Sequence, residues 1–352
     1  MDNSVSKADL QQTASRICAY MLEDHRGNWG MDIHEWDWVP GVGVIAILSY
    51  YEATRLPQTL EALTRWTADN LHKAEKQKVI NSAAPFAIFP ELYRQTGDPL
   101  LLQTAARIGD WMLTEAPRTR EGAWEHTVTE NASFPEQVWA DTVFMAVLFM
   151  ARLGRLTGDS RYTGEALRQL ELHLKLLQEE STGVLFHGWN CMEGNHMSGA
   201  RWARANAWVA LAAPMILEEL ADLKTVPAGV KERYAKLMRG LIRFQRADGM
   251  WSTVLDRPDF YAETSGTAGI ACGIWKAVRL NLLEEDCTEA ADRALKAVLG
   301  TVLPSGEVTG VSSGTPVMPT IEAYNHIPLH ATLYGQGLAL MLLAEKLSQS
   351  GG

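Results

Sequence analysis

Apolar residues recur along this chain in two alternating patterns, and that alternation limits the fold more than any other feature. Leu10, Ala14, Ile17, Cys18, Met21 and Leu22 mark one stripe of a helix. Similar one-sided stripes predict half-exposed helices near 58–73, 99–115, 160–180, 228–246 and 287–299. Between them lie segments near 42–54, 84–96, 138–156, 203–221, 265–283 and 330–347 that are apolar nearly all round in their first turns. A helix of that kind is buried on every side. Strand-like alternation is almost absent. The links also differ in a regular way. Each buried helix passes to the next half-exposed one through a brief turn, such as Arg55-Leu56-Pro57, Thr96-Gly97-Asp98-Pro99 or Thr157-Gly158-Asp159. The reverse links are long, at 26–41, 117–136, 181–202, 247–264 and 300–329, with 74–83 the shortest. A hairpin series with that asymmetry gathers every long loop at one end. Its repeat of about 59 residues exceeds the roughly 34 to 47 of a two-helix solenoid unit. The expectation is an all-α (α/α)6 barrel, six inner helices within six outer ones, formed by residues 1–352 as one catalytic domain.

Composition removes several function classes. The 32 Lys and Arg against 42 Asp and Glu form no basic stripe, so nucleic-acid phosphate is not an expected partner. The longest apolar runs, such as Val143 to Ala151, fall far short of the roughly 20 residues a membrane span needs. No charged, apolar, small-residue series opens the chain, which speaks against export. Cys18, Cys191, Cys272 and Cys287 are scattered without framework spacing and read as reduced thiols of a cytoplasmic protein. No pattern specifies an oligomeric state.

Tryptophan is the uneven component. Trp29, Trp36, Trp38, Trp124, Trp139, Trp189, Trp202, Trp208 and Trp251 fall in the long loops or the first turns of buried helices, with His34, His126, His187, His196, His326 and His330 beside them. An aromatic-walled mouth with a few ionisable groups suits a sugar ring. The competing reading is that these indoles plug the end of a wide barrel.

Within that mouth, Asp141 follows Gln137-Val138-Trp139-Ala140 among Val, Phe and Met neighbours at a helix start. Burial raises a carboxyl pKa and the helix N-terminus lowers it, so Asp141 is either a proton donor or a carboxylate satisfying backbone N–H groups. His187, in Phe186-His187-Gly188-Trp189, is a catalyst or a hydrogen-bonded structural residue. No H-E-x-x-H or cysteine pair accompanies it, so no metal is expected. Arg204, in Trp202-Ala203-Arg204-Ala205-Asn206-Ala207-Trp208, shares a helix face with Trp208 and either binds a carboxylate or caps backbone carbonyls. Phosphate loops and the G-x-S-x-G elbow are absent, and no cofactor is expected.

Taken in order, these motifs resemble glycoside hydrolase family 105, the unsaturated rhamnogalacturonyl hydrolases, and more distantly the unsaturated glucuronyl hydrolases of family 88. The resemblance rests on Leu92-Tyr93-Arg94-Gln95-Thr96-Gly97-Asp98, Thr157-Gly158-Asp159 with Tyr162, Gln137 to Thr142 with Met145, Phe186 to Trp189, Trp202 to Trp208, and Glu263-Thr264-Ser265-Gly266-Thr267-Ala268. It implies an (α/α)6 barrel acting on lyase-generated oligosaccharides, pectin fragments among them, that end in a Δ4,5-unsaturated uronic acid. Asp141 would then protonate C4 of the vinyl ether while water adds at C5. His187, His126, Trp202, Arg204 and Trp208 would line the uronate subsite, with Trp38 as a stacking wall. One departure stands out: Asn81 occupies the place where many members carry a second Asp, which leaves Asp141 without a carboxylate neighbour. Two other classes share such barrels. A sugar epimerase or inverting glycosidase needs a His pair or a widely separated acid and base, and a glycan-binding barrel binds without turnover.

Overall fold

The computed structural model describes residues 6–349 apart from Asn131. The outer helices among them are α1 (Lys7–Met21), α3 (Pro57–Asn70), α5 (Pro99–Thr114), α7 (Ser160–Leu177), α9 (Ala228–Arg243) and α11 (Thr288–Leu299). The inner helices are α2 (Trp38–Thr54), α4 (Phe89–Thr96), α6 (Leu148–Thr157), α8 (Ala203–Leu220), α10 (Thr264–Arg279) and α12 (Leu333–Gln349). Each inner helix, together with the short helical segment that precedes α4 and α6, packs on the next, and α12 returns to α2. That contact closes the expected (α/α)6 barrel.

Burial explains the two helix types. Residues 203–217 of α8 are buried without interruption, whereas α7 buries only a stripe that includes Tyr162, Ala166, Leu170 and Leu174. Each fully buried Leu or Ile contributes about 1.5–3 kcal/mol, so the inner ring dominates the core. Close helix approach needs small residues. A Cβ at Gly273 of α10 would lie 2.4 Å from the Ala210 carbonyl oxygen of α8.

The brief turns collect at one pole. Gly97 and Gly158 end α4 and α6 in the left-handed region, at φ 71° and 70°, where glycine has no Cβ penalty. Asp98 and Asp159 then cap α5 and α7 by accepting from the N–H groups of Leu100 and Arg161. The long loops collect at the opposite pole, as their lengths predict.

Two inner segments depart from the expected continuous helix. The segment predicted at 84–96 is divided into a 3₁₀ stretch, Asn81–Ile88, and α4. Pro85 and Pro90 remove N–H donors that regular winding would use there. The segment predicted at 138–156 opens as strand β1 (Gln137–Trp139), which pairs antiparallel with β2 (Gly188–Asn190). After two helical residues it widens into a π-helical turn, Val143–Val147, before α6. Strands of three residues carry no readable period, and their pairing satisfies loop backbone that the helices leave open. Among the described residues no helix is long and apolar enough to cross a membrane, and all four cysteines are unpaired.

Candidate active site

The pairing of β1 with β2 brings together two groups that lie 46 residues apart in sequence. Ala140 N–H donates to the His187 carbonyl at 3.1 Å, and Asp141 follows at the first turn before the π-helical segment. Its Oδ2 stands 3.4 Å from His187 Nε2, too long for a full hydrogen bond. Neither atom has a hydrogen-bond partner among the described residues. Asp141 lines a cavity of about 290 Å³ walled by Trp29, Trp38, Trp139 and Trp202, whereas the predicted His187 is buried behind it and does not line the cavity.

The tautomer of His187 follows from its other nitrogen. Nδ1 lies 2.7 Å from the Tyr324 hydroxyl, which already accepts the Met318 N–H at 3.1 Å. The phenol proton is therefore free to donate to Nδ1, leaving Nε2–H directed at Asp141. His126, buried and stacked on Trp139 with ring centres 4.2 Å apart, bonds Thr142 through Nδ1. Burial lowers its pKa to about 4, and burial also lowers that of His187, against the pull of Asp141 on both. Both imidazoles are neutral near pH 7. For Asp141 burial is the largest influence and works upward, but the nearby His187 N–H and the charges of His187, His126 and Arg204 outweigh it. The His187 N–H and the charge of Arg204 both act on the carboxyl in the downward direction.

Arg204 lines the cavity but spends its donors on the protein. Its guanidinium lies between Trp202 and Tyr334, 4.4 and 4.6 Å from their ring centres. It donates to the Ser312 and Ser313 carbonyls at 2.9 and 2.7 Å and reaches the hydroxyls of Ser312 and Thr315. Glu263, fully buried, holds the same loop by accepting from Ser312 N–H at 3.0 Å. The carbonyls that Arg204 ties down thus belong to the wall loop 312–315. This loop seats Gly314 against Trp29, where a Cβ would come within 2.5 Å of the indole.

Asn81 also lines the cavity; its side chain is buried and its Oδ1 has no partner among the described residues. Trp38 forms a wall, stacked on Tyr334 at 5.1 Å. Trp208 stands apart from the predicted set: it is fully buried against Phe144 at 5.0 Å and does not line the cavity. Trp124 and Trp251 act as end plugs instead, donating through Nε1 to the Met112 and Leu241 carbonyls. Sequence patterning missed Tyr324, Phe134, Val128 and the loop 313–316. Only the nearby tryptophans hinted that these loops face a site.

A larger hollow, about 520 Å³, lies at the turn pole. Most of its charges pair: Lys276 with Glu345 at 2.7 Å, and Arg279 with Glu218 and Glu345. It lacks the aromatic walls of the loop-pole cavity.

Known proteins resemble this chain in sequence and in fold. The chain is 36% identical over 320 residues to the unsaturated rhamnogalacturonyl hydrolase YesR of Bacillus subtilis, covering 89% of this chain and 90% of that one. A structure described as a possible member of glycoside hydrolase family 105 from Salmonella enterica superposes with a TM-score of 0.94 at 30% identity, covering 99% and 96% of the two chains. The unsaturated glucuronyl hydrolase of Bacillus sp. GL1 shares the fold with a TM-score of 0.75 at 17% identity, over 96% of each chain. A family model for Glycosyl Hydrolase Family 88 matches residues 13–349. With its barrel and nearly its whole length matched, the chain belongs to glycosyl hydrolase family 88.

Proposed function

We propose that this chain is an unsaturated uronyl hydrolase, removing a Δ4,5-unsaturated uronic acid from the non-reducing end of short oligosaccharides. The observation that carries the reading is Asp141, its Oδ2 unpartnered in a tryptophan-walled cavity 3.4 Å from an oriented His187. The similarity to YesR supports the same substrate class. Trp38 and Trp202 face the sugar ring, and Arg204 supplies positive potential for the uronate carboxylate while its N–H groups keep the wall loop in place. Arrival of that carboxylate sets a second negative charge beside Asp141 and favours its protonated form. Asp141 then gives its proton to C4 and recovers one from the water that adds to C5. The hemiketal opens its ring bond, and the hemiacetal left at C1 releases the partner sugar. One carboxyl group serves both transfers, and His187 Nε2–H steadies it between them. Asn81 Oδ1 accepts a ring hydroxyl.

The test follows the ultraviolet absorbance of the conjugated double bond in unsaturated disaccharides. Asp141→Asn is expected to slow its loss by 10²- to 10⁴-fold, and turnover in D2O to place deuterium at C4. Bleaching by Asp141→Asn at the rate of the unchanged protein, or product without deuterium at C4, sinks the proposal.

A further inference from the structure

Trp29 is 47% exposed although it stands at the reaction cavity, edge-on to Trp38 at 6.0 Å. Its indole also walls a second hollow of about 270 Å³, which Asp32, Glu35, Asp37 and Trp36 complete. The two spaces meet at this one side chain. An exposed indole between adjoining hollows offers a continuing platform for a chain of sugar rings. The second hollow is acidic. Glu130, on the rim of the first cavity, adds to the field, and Asp37 senses both Glu130 and Glu35 as repelling charges besides its burial. Lys73 lies 3.7 Å from Glu35 and offsets one charge of the set. Asp37 is held by Thr129 Oγ1 and the Trp38 N–H, and Asp32 by the N–H groups of Gly27 and His34, so these carboxylates are fixed in place.

Building on the hydrolase reading, we infer that Trp29 and the hollow beyond it form a subsite for the sugar after the leaving one, and that this subsite takes a neutral sugar and repels an acidic one. The substrate class is thereby narrowed to unsaturated uronides whose reducing-side extension is uncharged.

Three probes decide it: an unsaturated uronyl disaccharide with a neutral leaving sugar, the same molecule extended by a second neutral sugar, and the same extended by a uronate. Neutral extension is expected to raise kcat/KM about tenfold. Uronate extension is expected to lower it below the disaccharide value at low salt, with the penalty shrinking at 0.5 M salt, a concentration about where screening reaches only a few ångströms. Trp29→Ala removes the gain from neutral extension. Glu35→Lys, a change at an exposed side chain, narrows or reverses the order of the two trisaccharides, and it keeps the test decisive should Trp29→Ala not fold. Equal kcat/KM for both trisaccharides at low salt, a ratio unmoved by Glu35→Lys, or no gain from neutral extension overturns the subsite. Failure to bleach the disaccharide itself is a separate result, and it overturns the hydrolase reading together with the subsite.

Discussion

Asp141 shows how a single side chain carries opposing demands. Its resting carboxyl is held below the ordinary range, yet the proposed chemistry starts from the protonated form. The sign follows directly. The protonated fraction of the free protein falls as pH rises above that lowered pKa, so kcat/KM should decline with rising pH. In the complex, the bound uronate raises the pKa, so the decline of kcat should begin at higher pH. Rate profiles measured from about pH 5 to 8 would refute this account if both parameters fell together. Buried imidazoles set the stability limit on the acid side. His126 and His173 are pushed to about 4 by burial, whereas unfolded histidine takes its proton near 6.5. Between those values the unfolded chain binds more protons, so acidification favours it, by about 1.5 kcal/mol per imidazole from pH 6.5 to 5. Urea melts at the two pH values should show this loss, and His173→Gln should reduce it. The sequence exposed Asp141 and His187 as candidates because each sits among aromatic neighbours. It did not show that they meet, because β1 and β2 are too short to signal their pairing.

At the scale of the helix, the pattern of one-sided and all-round apolar segments was legible, since six helices of each kind must bury different fractions of their surface. The breaks were harder to read. Pro85 and Pro90 announce a disturbance, but the π-helical turn after Asp141 lies in Val143-Phe144-Met145-Ala146-Val147, where no breaker occurs. Its cause is tertiary: β1 fixes where the chain enters the ring. Glycine supplies the clearest test of helix packing. Gly273→Ala would thrust a methyl group to 2.4 Å from the Ala210 carbonyl oxygen, and backbone cannot yield as a flexible side chain does. A loss of about 1–3 kcal/mol in denaturant unfolding is expected, with α8 and α10 forced apart. A loss below about 0.5 kcal/mol, the range of an ordinary surface change, would mean that the two helices are not held this close.

The whole molecule divides its labour between poles. Brief turns and paired charges secure one end, and long loops build the cavity at the other. Glu345 of α12 answers Lys276 and Arg279 of α10 where the last inner helix joins the ring. Glu345→Gln leaves the half-buried Lys276 without its anion, and a cost of about 3 kcal/mol is expected, whereas Glu345→Leu combined with Lys276→Met should recover much of it. Thermal melts of the single and double variants check the coupling, and equal losses would disprove it. Barrel closure was readable because link lengths alternate throughout the chain; the loop 312–315 that Arg204 holds was not, because its partners come from three distant segments. The wide turn at Val143–Val147 sets the phase of the helix that follows Asp141, since such a turn accommodates one residue more than regular winding. Excising one of those five residues would let the helix rewind and swing Asp141 by roughly 100° about its axis. A barrel of unchanged outline would then carry its acid turned toward a neighbouring helix, inert by the smallest deletion a gene can make in frame.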